Sequence, residues 1–599
     1  MKKEPKREEI KQEDKWDLES MYPTIEDWDK DYEKVQIIEE ELLKYKGHLL
    51  DDAKTLYNYL KDSDELDVIL ENLIIYANMK SDEDTANTKY IALKGKVENL
   101  EVKISEEFSF VTPELLKEDY EKIEKFYIEY PELKEYEFTL INIYRYKDHT
   151  LSEQEEKILS SLSNDLDYSN KTASIIRNSD IKFGTIKDED NNDVELTNNN
   201  YSIYIKSKNR EVRKNAFKEM YRTYSSLKNT LATTFAGEVD SNIHISKIRG
   251  FKSAREKALF GSNINTSVYD NLIETVNKNM NVIYKYYDLK KEVLKLDEIH
   301  LYDIYTDLVS GSEEKYSFEK GKELVMDALS VLGEDYVNVL NKAFDEKWID
   351  KYPNKGKRGG AYSWGSYLSK PFVLLNYQDQ LDDVSTLAHE LGHYIHSYYS
   401  KENNPYHSYG YRIFVAEVAS TVNEMLLYKH MLKNTNDKKE KLVILDNLME
   451  LFKGTIYRQT MFAEFERDIY AKVENGDIIT YDLLCDHYYE LNKKYFGENV
   501  VIDEEIKYEW ERIPHFYMNF YVYQYATGLS AASAIVSDIL DNKANAKENY
   551  LKFLTLGGSM YPIDELKVAG VDMTKPEVIE KAIKMFDEII DEFKEVYNS

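Results

Sequence analysis

His389-Glu390-Leu391-Gly392-His393 sets two imidazoles four residues apart, with a carboxylate beside the first. On a helix, at about 100° per residue, the two histidines differ by roughly 40° and stand one above the other. Imidazole nitrogens so placed can reach one Zn²⁺ at about 2.0–2.1 Å. Glu390 can then act on a water at the metal without being a ligand itself. With 11 histidines in 599 residues, chance supplies about 0.02 such matches.

A third ligand is needed. His396 shares the face of His389 and His393, but a straight helix is poorly shaped to surround a tetrahedral metal with three ligands. A metzincin arrangement would need Gly at 396 and His at 399, where this chain has His396 and Tyr399. The better source is a second helix, Phe414-Val-Ala-Glu417-Val-Ala-Ser-Thr-Val-Asn-Glu424-Met-Leu-Leu427, reached through a turn containing Asn403, Asn404, Pro405 and Gly410. Glu417 lies among Val415, Ala416, Val418 and Ala419, surroundings that desolvate a carboxylate unless it is paired or metal-bound. Glu424, two turns on and on the same face, reads as a residue orienting a ligand histidine or as an exposed acid.

Two further segments carry chemistry. Residues 351–377 hold Gly356, Gly359, Gly360 and Gly365 ahead of the apolar run Phe372-Val-Leu-Leu375, a strand pattern. Gly360, Ala361, Tyr362 and Ser363 read either as a surface loop or as an edge that pairs with an extended peptide. After Pro514 come His515, Tyr517, Tyr521, Tyr523 and Tyr525. A phenol or imidazole from this run could steady an oxyanion, with His515, Tyr521 and Tyr525 the candidates. Among 51 tyrosines, however, most are packing residues.

The elements that position these groups are expected to be mainly helical. Gly (22) and Pro (10) are scarce in 599 residues, which disfavours a turn-rich β protein. Leu60, Leu66, Ile69, Leu70, Leu73 and Ile74, and then Leu93, Val97, Leu100 and Ile104, recur at helical spacing. Residues 1–15 read as a disordered tail, 16–200 as a helical lobe and 201–599 as the catalytic domain. A hairpin is expected across 181–202, and breaks at 311–315 and 433–436.

Composition narrows the partners. The net charge of −32 opposes binding to nucleic acid or an anionic membrane. Aromatic residues make up 13 %, too many for a disordered chain. Cys485 stands alone and reads as core filler, which fits a reducing compartment. The opening residues lack the apolar stretch of a signal peptide, so a cytoplasmic location is expected.

HELGHYIHS with FVAEVASTVNEMLL resembles the thimet-oligopeptidase-type (M3) zinc metallopeptidases, in particular their oligoendopeptidase F branch. The resemblance extends to GGAYSWG…KPFVLLNY (359–377), IPHFYMNFYVYQYATG (513–528), LTNNNYSIYIKSKNREVRKNAFKEMY (196–221), RGFKSAREKALF (249–260) and KWDLESMYP (15–23). It implies one Zn²⁺ on His389, His393 and Glu417, with Glu390 as general base and acid. It also implies two mostly helical lobes enclosing a deep channel that admits peptides and excludes folded proteins, with a small β element next to the zinc helix. The expected activity is hydrolysis of internal bonds in short, unstructured peptides. A helical zinc dipeptidyl carboxypeptidase and a catalytically silent peptide binder are the alternatives, and the sequence leaves the oligomeric state open.

Overall fold

The computed structural model describes residues 4–309 and 315–599. The described residues are mainly helical with three small sheets, and the chain divides into two compact units, each built from three separate stretches. The expected break at 311–315 lies largely outside the described residues. That at 433–436 separates the helices Ile413–Asn434 and Lys438–Phe452. Among the described residues no helix is long and apolar enough to cross a membrane.

The first unit comprises residues 1–153, 314–431 and 535–570. Its longest helix, Ala53–Glu83, is capped by Asp52, whose side chain accepts the N–H of Thr55. Leu66, Ile69, Leu70 and Leu73 are buried along it as the spacing predicts. Ile75 takes the core position expected of Ile74, which is only half-buried. The helix Thr88–Glu107 buries Leu93, Val97, Leu100 and Ile104.

A three-stranded sheet in this unit has the order Ile349–Asp350, Phe372–Leu374, Tyr362–Trp364. The central strand is fully buried; it runs parallel to the first and antiparallel to the third. The glycine-rich stretch therefore ends in an edge strand, with Ser363 opposite Val373.

The opening residues depart from the expected tail. From Glu4 onward they are ordered in short 3₁₀ turns. The Arg7 guanidinium donates to both oxygens of Asp350 and to Glu83. Asp350 is fully buried on the first strand of the sheet and also accepts Lys357 Nζ at 2.7 Å. A buried carboxylate demands counter-charge, and that demand orders a segment whose composition alone reads as solvated.

The second unit comprises residues 154–313, 432–534 and 571–599. The expected hairpin forms from Thr185–Lys187 and Asp193–Glu195, with Asn191 at φ +65° in the turn. The unit's core includes charged groups. Fully buried Glu509 accepts from Tyr221, Tyr488 and Arg458, so its charge is matched. Cys485 is buried among packing residues as core filler, and burial pushes its thiol up to about 11.

Candidate metal centre

The helix Leu381–Asn403 begins where Asp383 accepts the backbone N–H groups of Gln378 and Gln380. Val384, Leu387, Leu391 and Ile395 form its fully buried stripe. That burial fixes the rotation of the helix about its axis, and with it the direction of His389 and His393.

The second helix, Ile413–Asn434, crosses it at Gly392. A Cβ on Gly392 would lie 2.4 Å from Ser420 Cα and 2.6 Å from the Ala419 carbonyl oxygen. Only glycine permits this approach. Asn423 then locks the register, donating to the Ala388 carbonyl at 3.2 Å and accepting from Tyr336 at 2.7 Å.

The crossing brings Glu417 to the histidine pair. Its Oε2 lies 3.3 Å from His389 Nε2 and 3.5 Å from His393 Nε2. Among the described residues, one ligand atom from each of His389, His393 and Glu417 lies within 4.8 Å of the others, a group that could hold a metal ion. Ligand atoms at about 2.0–2.1 Å from a tetrahedral zinc stand roughly 3.3–3.4 Å apart. Both observed nitrogen–oxygen separations match that spacing, so the residues fit the metal their types suggest. Val415, Val418 and Ala419 face the core, while the Glu417 side chain keeps 40 % exposure and is paired with the two histidines, the condition under which a carboxylate in such surroundings is tolerated.

Glu424 accepts from His389 Nδ1 at 2.9 Å and from Ser385 Oγ at 2.8 Å. With Nδ1–H donating to Glu424, neutral His389 presents the lone pair of Nε2 towards Glu417. A lone pair facing a carboxylate at 3.3 Å calls for a positive charge between them. Burial disfavours the charge on His389, but hydrogen bonds to Glu417 and Glu424 outweigh this and raise its pKa well above the ordinary value. Burial also works against the Glu417 anion, yet hydrogen bonds from both histidines hold its pKa well below the carboxylate range.

Glu390 is buried on the same helix. Burial raises its pKa, and the charges of His389 and His393 only partly offset this. The carboxylate is thereby more basic than an exposed one.

His396, the rival ligand, is not part of the cluster. Seven residues along the helix carry it about 10 Å from His389, where it stacks on Tyr411 with ring centroids 3.8 Å apart. It is 1 % exposed, and burial pushes its pKa down to about 3.

Gly360, Ala361, Tyr362 and Ser363 run into the edge strand of the sheet, which packs against the histidine helix. Tyr362 OH donates to Asp82 at 2.8 Å. The late aromatic segment lies in the second unit and is sorted by burial. Tyr517 and Tyr523 are packed inside, Tyr517 bonding Thr234 at 2.9 Å. His515, Tyr521 and Tyr525 are half-exposed and come together. Tyr525 OH lies 3.3 Å from His515 Nε2, and the Tyr521 ring lies 5.5 Å from that of Tyr525. Burial lowers the His515 pKa, favouring the neutral imidazole.

Sequence reasoning missed Gly392 as a crossing point and Asn423 as its lock. The signal for Asn423 was present: an amide inside an apolar helical run needs a partner.

The chain is similar to known peptidases along nearly its whole length. Residues 203–585 match the family described as Peptidase family M3, and residues 114–183 match Oligopeptidase F. Oligopeptidase PepF of Bacillus subtilis is 46 % identical over 99 % of this chain and 88 % of its own length. The chromosomal oligoendopeptidase F of Lactococcus lactis subsp. cremoris is 39 % identical over 98 % of both chains. The crystal structure of oligoendopeptidase-F from Enterococcus faecium superposes with a TM-score of 0.76 at 34 % identity, over 96 % of this chain and 99 % of that one. A candidate peptidase from Chlamydophila abortus gives 0.91 at 37 % identity, over 99 % and 100 % respectively.

Proposed function

This chain belongs to peptidase family M3, and from that premise we propose that it is a zinc-dependent oligoendopeptidase acting on short, unstructured peptides in the cytoplasm. The observation that carries the reading is the meeting of His389 Nε2 and His393 Nε2 on one oxygen of Glu417, at 3.3 and 3.5 Å. Two neutral nitrogen donors and one carboxylate suit zinc and leave one coordination position for water or substrate.

A zinc ion held there would supply a Lewis acid and lower the pKa of water towards about 7. The remaining work belongs to the chain's own groups. Glu390, made more basic by burial, takes the proton of the attacking water and delivers it to the leaving amine. Glu424 holds His389 in the tautomer that offers Nε2. The unpaired side of the strand Tyr362–Trp364 receives the substrate as an extended segment, with Gly360, Ala361, Tyr362 and Ser363 as its contact. Backbone pairing of that kind gives cleavage with little side-chain preference. A donor among His515, Tyr521 and Tyr525 steadies the developing oxyanion. No serine or cysteine nucleophile is required.

The test is metal analysis of the purified chain beside cleavage of an internally quenched peptide. One zinc per chain, loss of turnover on chelation and its return with Zn²⁺ are expected. Glu390→Gln should retain the metal and lose turnover by at least about 10³-fold; unchanged turnover removes the mechanism. Amidating the C-terminus of the same peptide should leave cleavage intact, whereas loss on amidation would mark a dipeptidyl carboxypeptidase.

A further inference from the structure

Within the second unit, the helix Arg458–Glu474 carries Glu466, which is fully buried. Its Oε1 accepts the backbone N–H of Phe520 at 2.6 Å. Its Oε2 is also buried and has no hydrogen-bond partner among the described residues. A carboxyl group in such surroundings is costly to keep, and burial pushes its pKa up to about 8, so at neutral pH it is held largely as the acid. An apolar side chain would fill the space at less cost unless the acceptor at Phe520 were needed.

The need lies in the backbone. Asn519 and Phe520 are consecutive left-handed residues, at φ +43° and φ +60°. Neither is glycine, and a bulky aromatic residue in this region is strained unless its surroundings hold it. The Phe520 ring is clasped by Tyr470 and Tyr269, at centroid distances of 4.7 and 5.6 Å. The turn also borders a cavity of about 180 Å³ lined by Leu259, Ile264, Met518 and Tyr523. Among the described residues, the Glu466 bond ties the Phe520 amide of this turn to the helix Arg458–Glu474. The turn joins His515 to Tyr521 and leads into the helix Tyr523–Leu540, which carries Tyr525. Its conformation therefore decides whether the three groups meet.

We propose that Glu466 is a positioning residue for His515, Tyr521 and Tyr525, acting through the Phe520 amide in the left-handed Asn519–Phe520 turn. The proposal rests on the reading that this trio serves the scissile carbonyl. Misplacing such a donor by about 1 Å can cost on the order of 10²-fold in rate.

The experiment compares Glu466→Gln, Glu466→Asp and Glu466→Leu in the full chain loaded with zinc, reading kcat and KM separately. Glu466→Gln keeps an acceptor at the same reach and should hold kcat within about twofold. Glu466→Asp withdraws the acceptor by one methylene and Glu466→Leu removes it; both should lower kcat at least about tenfold with KM and zinc content little changed. His515→Ala added to Glu466→Asp should cost less than His515→Ala alone. Full kcat in Glu466→Asp, or an equal loss in Glu466→Gln, overturns the proposal, and neither variant depends on Glu466→Leu folding. If His515→Ala and Tyr525→Phe themselves leave kcat unchanged, it is the reading of the trio that fails.

Discussion

Glu424 Oε2 lies 2.9 Å from His389 Nδ1, and the other Glu424 oxygen accepts Ser385 Oγ, so the carboxylate that orients the histidine is itself anchored on the histidine's own helix. A ligand imidazole is most useful when its far nitrogen is tied, since the tie fixes tautomer and ring direction before any metal arrives. Glu424→Ala should lower zinc affinity roughly 10–100-fold, measured by competition with a chromogenic chelator. Glu424→Gln should lose less, because an amide oxygen can still accept from Nδ1–H. Unchanged affinity in the alanine variant would show the tie to be idle.

Glu417 contributes the anion of the cluster, and without it two neutral imidazoles remain. Glu417→Ala should leave the helical circular-dichroism spectrum intact and bring the metal content after dialysis close to zero. Retention of one zinc per chain would place the third ligand elsewhere.

Gly392 sets the distance between the two helices. Gly392→Ala forces Cβ against the Ser420 backbone, which cannot yield as a flexible side chain could. The expected loss is roughly 2–3 kcal/mol in urea unfolding, with weaker zinc binding because Glu417 is pushed back. Gly95, also on a helix, has nothing within 4 Å of a built Cβ. Gly95→Ala should be neutral or stabilising by about 0.5–1 kcal/mol. Equal behaviour of the two variants would contradict the close crossing.

Asp350 links the opening segment to the sheet and makes it sensitive to acid. Burial works against its charge, but the hydrogen bond from Arg7 and the charge of Lys357 outweigh this and lower its pKa. A carboxylate depressed in the folded state binds fewer protons there than when unfolded. Its stabilisation is therefore present above the unfolded pKa of about 3.9 and is lost as pH falls through the lower folded value. Asp350→Asn should flatten the unfolding midpoint in that acid window. Arg7→Ala should cost about 2–3 kcal/mol at pH 7, with Lys357 left as the remaining counter-charge. An unchanged midpoint in Arg7→Ala would return the opening segment to the status of a tail.

Much of the chemistry was legible because it is local. The four-residue spacing of His389 and His393 needs only a helix to become a metal-facing pair, and the stripe Val384, Leu387, Leu391 and Ile395 states which way that helix turns. The mainly helical fold followed from the same periodicity, and the strand at Phe372 from its unbroken apolar run. The hairpin was visible in a polar turn between β-prone runs. Arg7 misled for the opposite reason: a lone arginine among charged residues carries no local sign that a buried aspartate 343 positions away will hold it.

Sequence by itself determined the inventory: two imidazoles, the carboxylate of Glu390 beside the first, and acids at Glu417 and Glu424 on a second helix. Its periodicity determined which faces those helices bury. Tertiary structure alone decided that Glu417, not His396, meets the pair, because a contact between helices depends on how closely two backbones can approach. At Gly392 the absence of one carbon allows that approach. It likewise decided which tyrosines of a crowded segment face outward, since that choice is made by what packs behind them.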